Sequence, residues 1–360
     1  MAIKYKWLAL RLEDLISTYI KKGLNQLPTE QALCDKYMVS RQTVRQALSL
    51  LEAKGLIVKK RGSGSYITGL SSDLSRNVVA VLVSSDTDYI YPGILEDISH
   101  SLSDSGFSCK AYVTENRVDK ERQILNSLLK KPVRGIIAEG CKSALPNPNL
   151  DLYRRLIHRG TAVVFLYNYY PALSDCLYAK DDNLYGSSLL VQYLASQGHT
   201  SIGAVFKSDD MQGIERYQGF VEAMQNARLP IDDSLIRWYD SYDLDRLVQA
   251  RDTRFLRDMI RHSLSGCTAV ICYNDQIAYY LIQELRLCGF LIPEDLAVAS
   301  FDNTYLSSSD MLSMTTLSHR PHEMGALAAE MMLHKLKGLP AVSKEVPWTL
   351  NTRASTNAVR

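Results

Sequence analysis

No segment of this 360-residue chain approaches the roughly 20 consecutive apolar residues that a bilayer-crossing helix needs, so no membrane span is expected. The N-terminal run MAIKYKWLALRLEDLISTYI carries Arg11, Glu13 and Asp14 inside its apolar stretch. It reads as an amphipathic helix and not as an export signal. Cysteine is sparse: seven residues, an odd number, scattered and without C-x-x-C spacing. That argues against a disulfide framework and a cysteine zinc site, and for reduced thiols in a cytoplasmic protein. The seven histidines form no H-E-x-x-H, and no G-x-S-x-G elbow occurs. No catalytic residue, metal ligand or cofactor is therefore expected. His199, in QGHTS, reads as a turn residue before a strand.

Net charge is small but unevenly spread. Residues 1–70 hold 12 Lys+Arg and 5 Asp+Glu, a net of +7, while the whole chain is only +2, which leaves −5 for the remainder. A basic head on a mildly acidic body implies that the head alone meets a polyanion. The length suggests two or three domains, and 46% hydrophobic residues supply ordinary globular cores.

Residues 28–68 carry the strongest local signal. Ser40 is a good N-cap, and after it Val44, Ala47, Leu48 and Leu51 recur with one-face helical spacing. Arg41, Gln42, Thr43 and Arg45 fall on the other face near the helix start. Arg reaches guanine edges or phosphates and Gln pairs with adenine, which suits a recognition helix. A short strand at 56–58 and another at 65–68 flank a basic turn, Lys60-Arg61-Gly62-Ser63-Gly64. A strand follows the Gly-x-Gly, so it reads as the tip of a wing and not as a phosphate-binding loop.

The run LPTE…SRQTVRQALSLLEAKGLI…GSGSYI resembles the GntR-type winged helix-turn-helix domain over about 60 residues. The resemblance implies that Ser40, Arg41, Gln42, Thr43 and Arg45 face duplex DNA, with the wing from Lys60 and Arg61 through Gly62, Ser63 and Gly64 along the groove. Gln31 falls where several family members place a basic DNA-contacting residue. The first helix, about 5–22, joins through a connection at 22–26 that is shorter than usual for the family.

After a polar, serine-rich linker at about 70–77 the texture changes to alternating strands and helices. Strands are expected near 77–84, 108–113, 135–138, 162–166, 202–206, 269–273 and 296–300, and helices near 92–105, 120–131, 184–197, 214–226, 247–263 and 276–288. Repeated β-α-β units give open parallel sheets, and about 280 residues is too many for one of them. Ligands bind beyond the carboxyl ends of such strands. That rule selects Tyr89 and Tyr91, Glu139 and Lys142, Tyr167 or Asn168, Lys207 and Asp209 with Arg216 just beyond, Asn274 and Asp275, and Asp302. Carboxylates, amides, cations and tyrosines suit a small polyhydroxylated ligand.

The body resembles the LacI/GalR regulatory domain, on NVVAVLVSSDTDYIYPGILEDISHSLSDSGF, QGHTSIGAVF, ERYQGFVEAM, AVICYNDQIAYYLIQELRLCGFLIPEDLAVASFDN and the text of 313–333. That implies a two-lobed periplasmic-binding-protein-like α/β fold with three hinge crossings, covering 78–360. The implied lobes are about 78–176 with 304–335, and about 177–303 with 336–360. Arg216, Asn274 and Asp302 match the family's ligand-contacting positions, and Tyr167 or Asn168 stands where the family often has Asp. A GntR-type head (1–69) on a LacI/GalR-type body is similar to the arabinose repressors. L-arabinose as effector follows from that resemblance alone. The expected protein is a homodimeric repressor on double-stranded operator DNA, released by a small sugar. The competing expectations are a sugar-binding protein of a transport system, which the basic head and lack of an export signal oppose, and an enzyme acting on a sugar.

Overall fold

The computed structural model describes every residue except 1, 22, 23, 25, 55, 61, 62, 68–76, 88, 310, 311 and 357–360. Most of the expected linker, and Arg61 and Gly62 of the expected wing tip, lie outside the described residues. So do residues 22, 23 and 25 of the short connection.

The head comprises α1 (Ala2–Lys21), α2 (Glu30–Tyr37), α3 (Arg41–Ala53), β1 (Ile57–Lys60) and β2 (Gly64–Ile67). Leu8, Leu12 and Ile16 of α1 meet Leu33 of α2 and Val44, Ala47, Leu48 and Leu51 of α3 in one core. Each fully buried leucine is worth about 1.5–3 kcal/mol. Thr29 caps α2 through the Ala32 N–H and Ser40 caps α3 through the Thr43 N–H. Between the two helices Met38 turns the chain with φ 52. β1 and β2 pair antiparallel from Ile57–Ile67 to Lys60–Gly64.

The first lobe runs β3 (Val78–Val83), α4 (Tyr91–Ser103), β4 (Ser108–Val113), α5 (Val118–Lys130), β5 (Gly135–Ala138), α6 (Leu150–His158), β6 (Ala162–Leu166) and β7 (Leu177–Asp181). The chain then enters the second lobe with α7 (Asn183–Ser196), β8 (Ile202–Lys207), α8 (Met211–Asn226), β9 (Ile236–Tyr239), α9 (Ser241–Ala250), α10 (Arg254–His262), β10 (Ala269–Cys272), α11 (Asp275–Leu287) and β11 (Ala297–Phe301). A short hairpin, β12 (Ser308–Ser309) and β13 (Leu312–Ser313), precedes β14 (Thr315–Ser318). The chain returns to the first lobe as α12 (Glu323–Lys337) and β15 (Lys344–Val346), then crosses once more into β16 (Thr349–Asn351).

Among the described residues this gives two six-stranded sheets, β15-β7-β6-β5-β3-β4 and β16-β14-β11-β10-β8-β9. Every pairing is parallel except β14 with β16. Alternation along each strand feeds two cores. Val79, Val81 and Val83 of β3 face α4 and α12, whereas Ala80 and Leu82 face α5 and α6. Both faces are buried, which is why such strands read as continuous β-branched runs.

The lobe boundaries differ from the expected ones. Residues 177–181 form β7 of the first sheet, residues 304–318 belong to the second lobe, and α12 carries the first lobe on to β15 at 344–346. A strand that ends one sheet and precedes a crossing carries the same local pattern as one inside it, so pairing alone decides its lobe. The helix expected over 247–263 is two helices. Arg251 takes φ 52 at the break, and Asp252 bridges it by pairing with both Arg246 and Arg254.

A buried carboxylate fixes the loop after β5. Glu121 of α5 is fully buried and accepts hydrogen bonds from Asn147 (2.9 Å), Asn149 (2.8 Å), Tyr153 (2.9 Å) and Tyr170 (2.9 Å). Four donors satisfy the charge that burial would otherwise make costly.

Candidate functional site

Two surfaces concentrate chemistry, one on the head and one between the lobes. On the head, α3 turns its apolar stripe inward and leaves Arg41, Gln42 and Arg45 exposed, with Thr43 half-buried beside the cap. Arg45 Nε donates to Glu30 Oε2 at 3.0 Å and Arg41 Nε lies 3.6 Å from the same oxygen. Glu30 opens α2, so the two helices of the motif are tied across their outer ends; sequence reading missed this role. Gln31 donates instead to Asp35 within its own helix, at 3.0 Å.

The wing is organised by a residue outside it. Gln26 donates to the Ser63 carbonyl at 2.8 Å and its backbone bridges to Tyr66. Ser63 and Tyr66 share a hydroxyl hydrogen bond of 2.6 Å, and Lys60 Nζ stands 4.9 Å from the Tyr66 ring centre. Gly64 sits at φ +112, where a side chain is strained, and a Cβ there would lie 3.0 Å from Gln26 Nε2. Gln26 precedes the motif in sequence and gave no signal of its own.

Between the lobes lies a cleft of about 590 Å³. Of the expected residues, Tyr89, Tyr91, Glu139, Tyr167, Lys207, Arg216, Asn274 and Asp302 line it. Tyr89 (φ 63), Tyr167 (φ 65) and Asp302 (φ 98) hold backbone conformations that non-glycine residues rarely adopt. Such strain persists only where the surrounding structure imposes it, and it clusters at functional sites.

From the first lobe, Tyr91 OH donates to Glu139 Oε1 at 3.0 Å, the Ser84 N–H donates to Glu139 Oε2 at 2.8 Å, and Ser84 Oγ also bonds Tyr91 OH. From the second lobe, Lys207 Nζ reaches Asp210 Oδ2 at 2.5 Å. Arg216 is 3% exposed and held on all sides. Its Nε donates to Asn183 Oδ1 at 2.9 Å, one Nη donates to the Tyr273 carbonyl, and the other lies 3.6 Å from both Asp181 and Asp302. The guanidinium stands 4.1 Å from the centre of the Phe301 ring and 5.6 Å from that of Trp348. Tyr89 OH donates to Asp302 Oδ2 at 2.6 Å and so joins the lobes.

Electrostatics follow from burial. Desolvation pushes the Asp302 carboxyl up to about 6, despite the opposing Arg216 charge and Tyr89 hydrogen bond, because Asp275 and Asp181 add negative potential. Arg216 is itself raised: burial disfavours its charge, but Asp302, Tyr273 and Asp181 outweigh that. The two directions agree that Arg216 carries the fixed charge and Asp302 the labile one. Desolvation also raises Glu139. Lys207 resists desolvation through Asp210 and Asp209 and is raised. Burial holds Tyr89, Tyr91, Tyr167 and Tyr273 well above the ordinary tyrosine value, so all four present neutral hydroxyls.

Three expected residues are placed elsewhere. Asp275 is fully buried off the cleft and accepts from Ser300, Thr316 and Thr304, bracing the turn after β11. Lys142 and Asp209 pair across the lip of the cleft at 3.6 Å instead of facing into it. Asp209 also accepts from the Ser241 N–H, and Asn116 donates to Asp210 and Ser241 beside it. The open alternative at 167–168 divides cleanly: Tyr167 lines the cleft, while Asn168 ties down both backbone groups of Gly140. Asn274 does two things, lining the cleft and capping α11 through the Ile277 N–H at 3.0 Å. Gln212, which ends the candidate segment 207–212, also lines the cleft; sequence reading missed Asp181, Tyr273, His319 and Trp348, which do so too. Gln212 Oε1 is buried there without a hydrogen-bond partner. Trp348 follows a short edge strand with no periodic pattern, and nothing local distinguishes it.

Residues 4–67 match the bacterial regulatory proteins of the gntR family, and residues 191–356 match a periplasmic binding protein-like domain. The chain is 31% identical over 339 residues to an arabinose metabolism transcriptional repressor of Geobacillus stearothermophilus, covering 92% of this chain and 91% of that protein. It is 28% identical to the protein of the same description from Halalkalibacterium halodurans, covering 92% and 89%. Among solved structures, a CelR–cellobiose complex superposes with a TM-score of 0.67 at 21% identity, over 94% of each chain. CcpA of Lactococcus lactis does so with a TM-score of 0.66 at 20% identity, over 78% of this chain and all of that one. These structural likenesses establish the fold.

Proposed function

This chain belongs to the family of arabinose metabolism transcriptional repressors, and from that premise we propose that it is a cytoplasmic, homodimeric repressor of sugar-utilisation genes released from operator DNA by L-arabinose. The observation that carries the reading is the joining, in one chain, of a basic winged head to a cleft of neutral tyrosines, carboxylates and a locked arginine. The head grips duplex phosphates and bases through Arg41, Gln42, Arg45 and the wing, with Ser40 and Thr43 setting the helix start. Two heads on paired chains meet half-sites about one helical turn apart.

In the cleft, Tyr91 and Glu139 of one lobe and Lys207, Arg216 and Asp302 of the other converge on the sugar. Carboxylates accept from its hydroxyls, the cations and tyrosines donate, and Gln212 Oε1 offers one further acceptor. The sugar acts by preferring one arrangement of the lobes. It weakens DNA binding only as far as that arrangement disfavours the operator.

The test is a gel shift of the full chain on DNA from its own control region, titrated with pentoses and hexoses. Dissociation by L-arabinose and not by its isomers is the expected result. Retention of DNA at every sugar concentration, or release by a different sugar, would reject the assignment.

A further inference from the structure

One side chain touches all three connections between the lobes. His319 follows β14 on the second crossing. Its Nε2 lies 2.8 Å from Asp181 Oδ1, at the end of β7 where the first crossing begins. Its Nδ1 lies 3.1 Å from the carbonyl oxygen of Pro347 on the third crossing. The ring stacks on Trp348 of that crossing, with centroids 3.7 Å apart and planes 23° from parallel. Trp348 in turn is seated against Gly186 of α7, where any Cβ would collide with the indole.

Both ring nitrogens thus face acceptors. A carbonyl oxygen only accepts, and so does an ionised carboxylate. Only the imidazolium, with two N–H groups, satisfies both. The same neighbours lead to the effector cleft. Asp181 is 3.6 Å from Arg216, and Trp348 lies under the Arg216 guanidinium.

We propose that His319, as an imidazolium, is the positioning residue of the hinge: it clasps the three crossings and, through Asp181 and Trp348, holds Arg216 where the effector meets it. The proposal rests on the cleft being the effector site. Charged groups facing His319 are Asp181 at the end of β7, Asp302 beyond β11, and Arg216 of α8 behind Asp181; Pro347 and Trp348 bring none. Burial opposes the imidazolium, but the Asp181 hydrogen bond and charge, the Pro347 carbonyl and Asp302 outweigh it and raise His319 above the ordinary histidine range.

The chain has three tryptophans, so W7F/W238F leaves Trp348 as the sole indole of the full-length protein. A stacked imidazolium quenches indole emission. Emission should therefore rise as pH climbs from about 6 to about 9, with a midpoint above the unperturbed histidine value of about 6.5. Adding H319Q, or H319N should that chain fold better, should flatten the curve. Calorimetry with L-arabinose should show affinity falling over the same interval in the otherwise native chain. H319Q should bind about tenfold more weakly, the scale of a lost charge-assisted hydrogen bond, with no pH dependence above about 6.5. A flat emission curve in W7F/W238F overturns the proposal, as does H319Q binding with unchanged affinity and pH profile. An emission curve that titrates while L-arabinose gives no heat sustains the clasp and rejects only the sugar.

Discussion

In the head, Arg41 and Arg45 keep 62% and 63% of their side-chain surface in solvent and share one partner, Glu30. In the cleft, Arg216 keeps 3%, and its donors are taken up by Asn183, Tyr273, Asp181 and Asp302. The same residue type serves opposite ends. An exposed arginine costs little to hold, is screened by salt, and can trade a surface carboxylate for a phosphate. A buried one must be paired on every side, so it becomes part of the architecture and passes any disturbance to its partners.

The largest break in that comparison should come from Arg216→Ala. It leaves Asp181 and Asp302 buried without their cation, and losses of this kind cost about 3–5 kcal/mol. A lower unfolding midpoint together with lost sugar response, while the heads still bind operator, is the expected outcome. Normal stability and induction would place Arg216 outside the cleft chemistry. Arg45→Ala should show the reverse. Operator affinity falls by about 1–3 kcal/mol if the side chain reads a base, while unfolding shifts by less than about 1 kcal/mol because the Glu30 pair is exposed. Gel shifts over a salt series, beside a denaturant titration, measure both. If the salt slope drops by about one with uniform loss across sequences, Arg45 contacts phosphate instead.

Gly64→Ala is a smaller perturbation of the same surface. A side chain at φ +112 and against Gln26 should cost about 1–2 kcal/mol of local stability and weaken DNA binding through a displaced wing tip. Sugar affinity by calorimetry should not change.

The smallest effect is a pH dependence confined to the cleft. Folded Asp302 keeps its proton up to about pH 6, above its ordinary value of 3.8. Between those values the folded state binds more protons than the unfolded chain. This group therefore adds stability as pH falls through 6 and withdraws it as pH rises. Sugar affinity should move the other way, weakening below about pH 6 as the Asp302 carboxylate loses its accepting form, and Asp302→Asn should abolish that limb. His319 acts on stability with the same sign: raised above the ordinary histidine value of about 6.5, it contributes stability fully present below that value and lost as pH rises through its folded titration.

The winged head was legible because its signals are local. A cap at Ser40, an apolar stripe at Val44, Ala47, Leu48 and Leu51, and a glycine at 64 each depend on neighbours within a few residues. Seven of the twelve strands of the two sheets were legible for the same reason, as β-branched runs bounded by turns; β7, β9, β14, β15 and β16, short or at sheet edges and crossings, carried no such signal. Eight of the eleven nominated cleft residues line it, because the carboxyl ends of parallel strands converge on one edge wherever the strands lie. Asp275, Lys142 and Asp209 follow that same rule in sequence, yet a rotation of side chain or a step along the loop turned each to a bracing role. Nothing near Gln26, Glu30, Trp348 or His319 announced their work, since each acts on residues that only folding brings near.

By itself, then, the order of amino acids settled most of the central helices and strands, that a basic reader precedes a two-lobed α/β body, and which strand ends carry polar groups. Those properties follow from periodicity and charge, which are summed along the chain. Tertiary structure alone decided where the chain passes between lobes, which carboxylate keeps its proton, and that three distant crossings meet on one imidazole. Those depend on burial and on distances across space, and neither quantity is written in the spacing of residues.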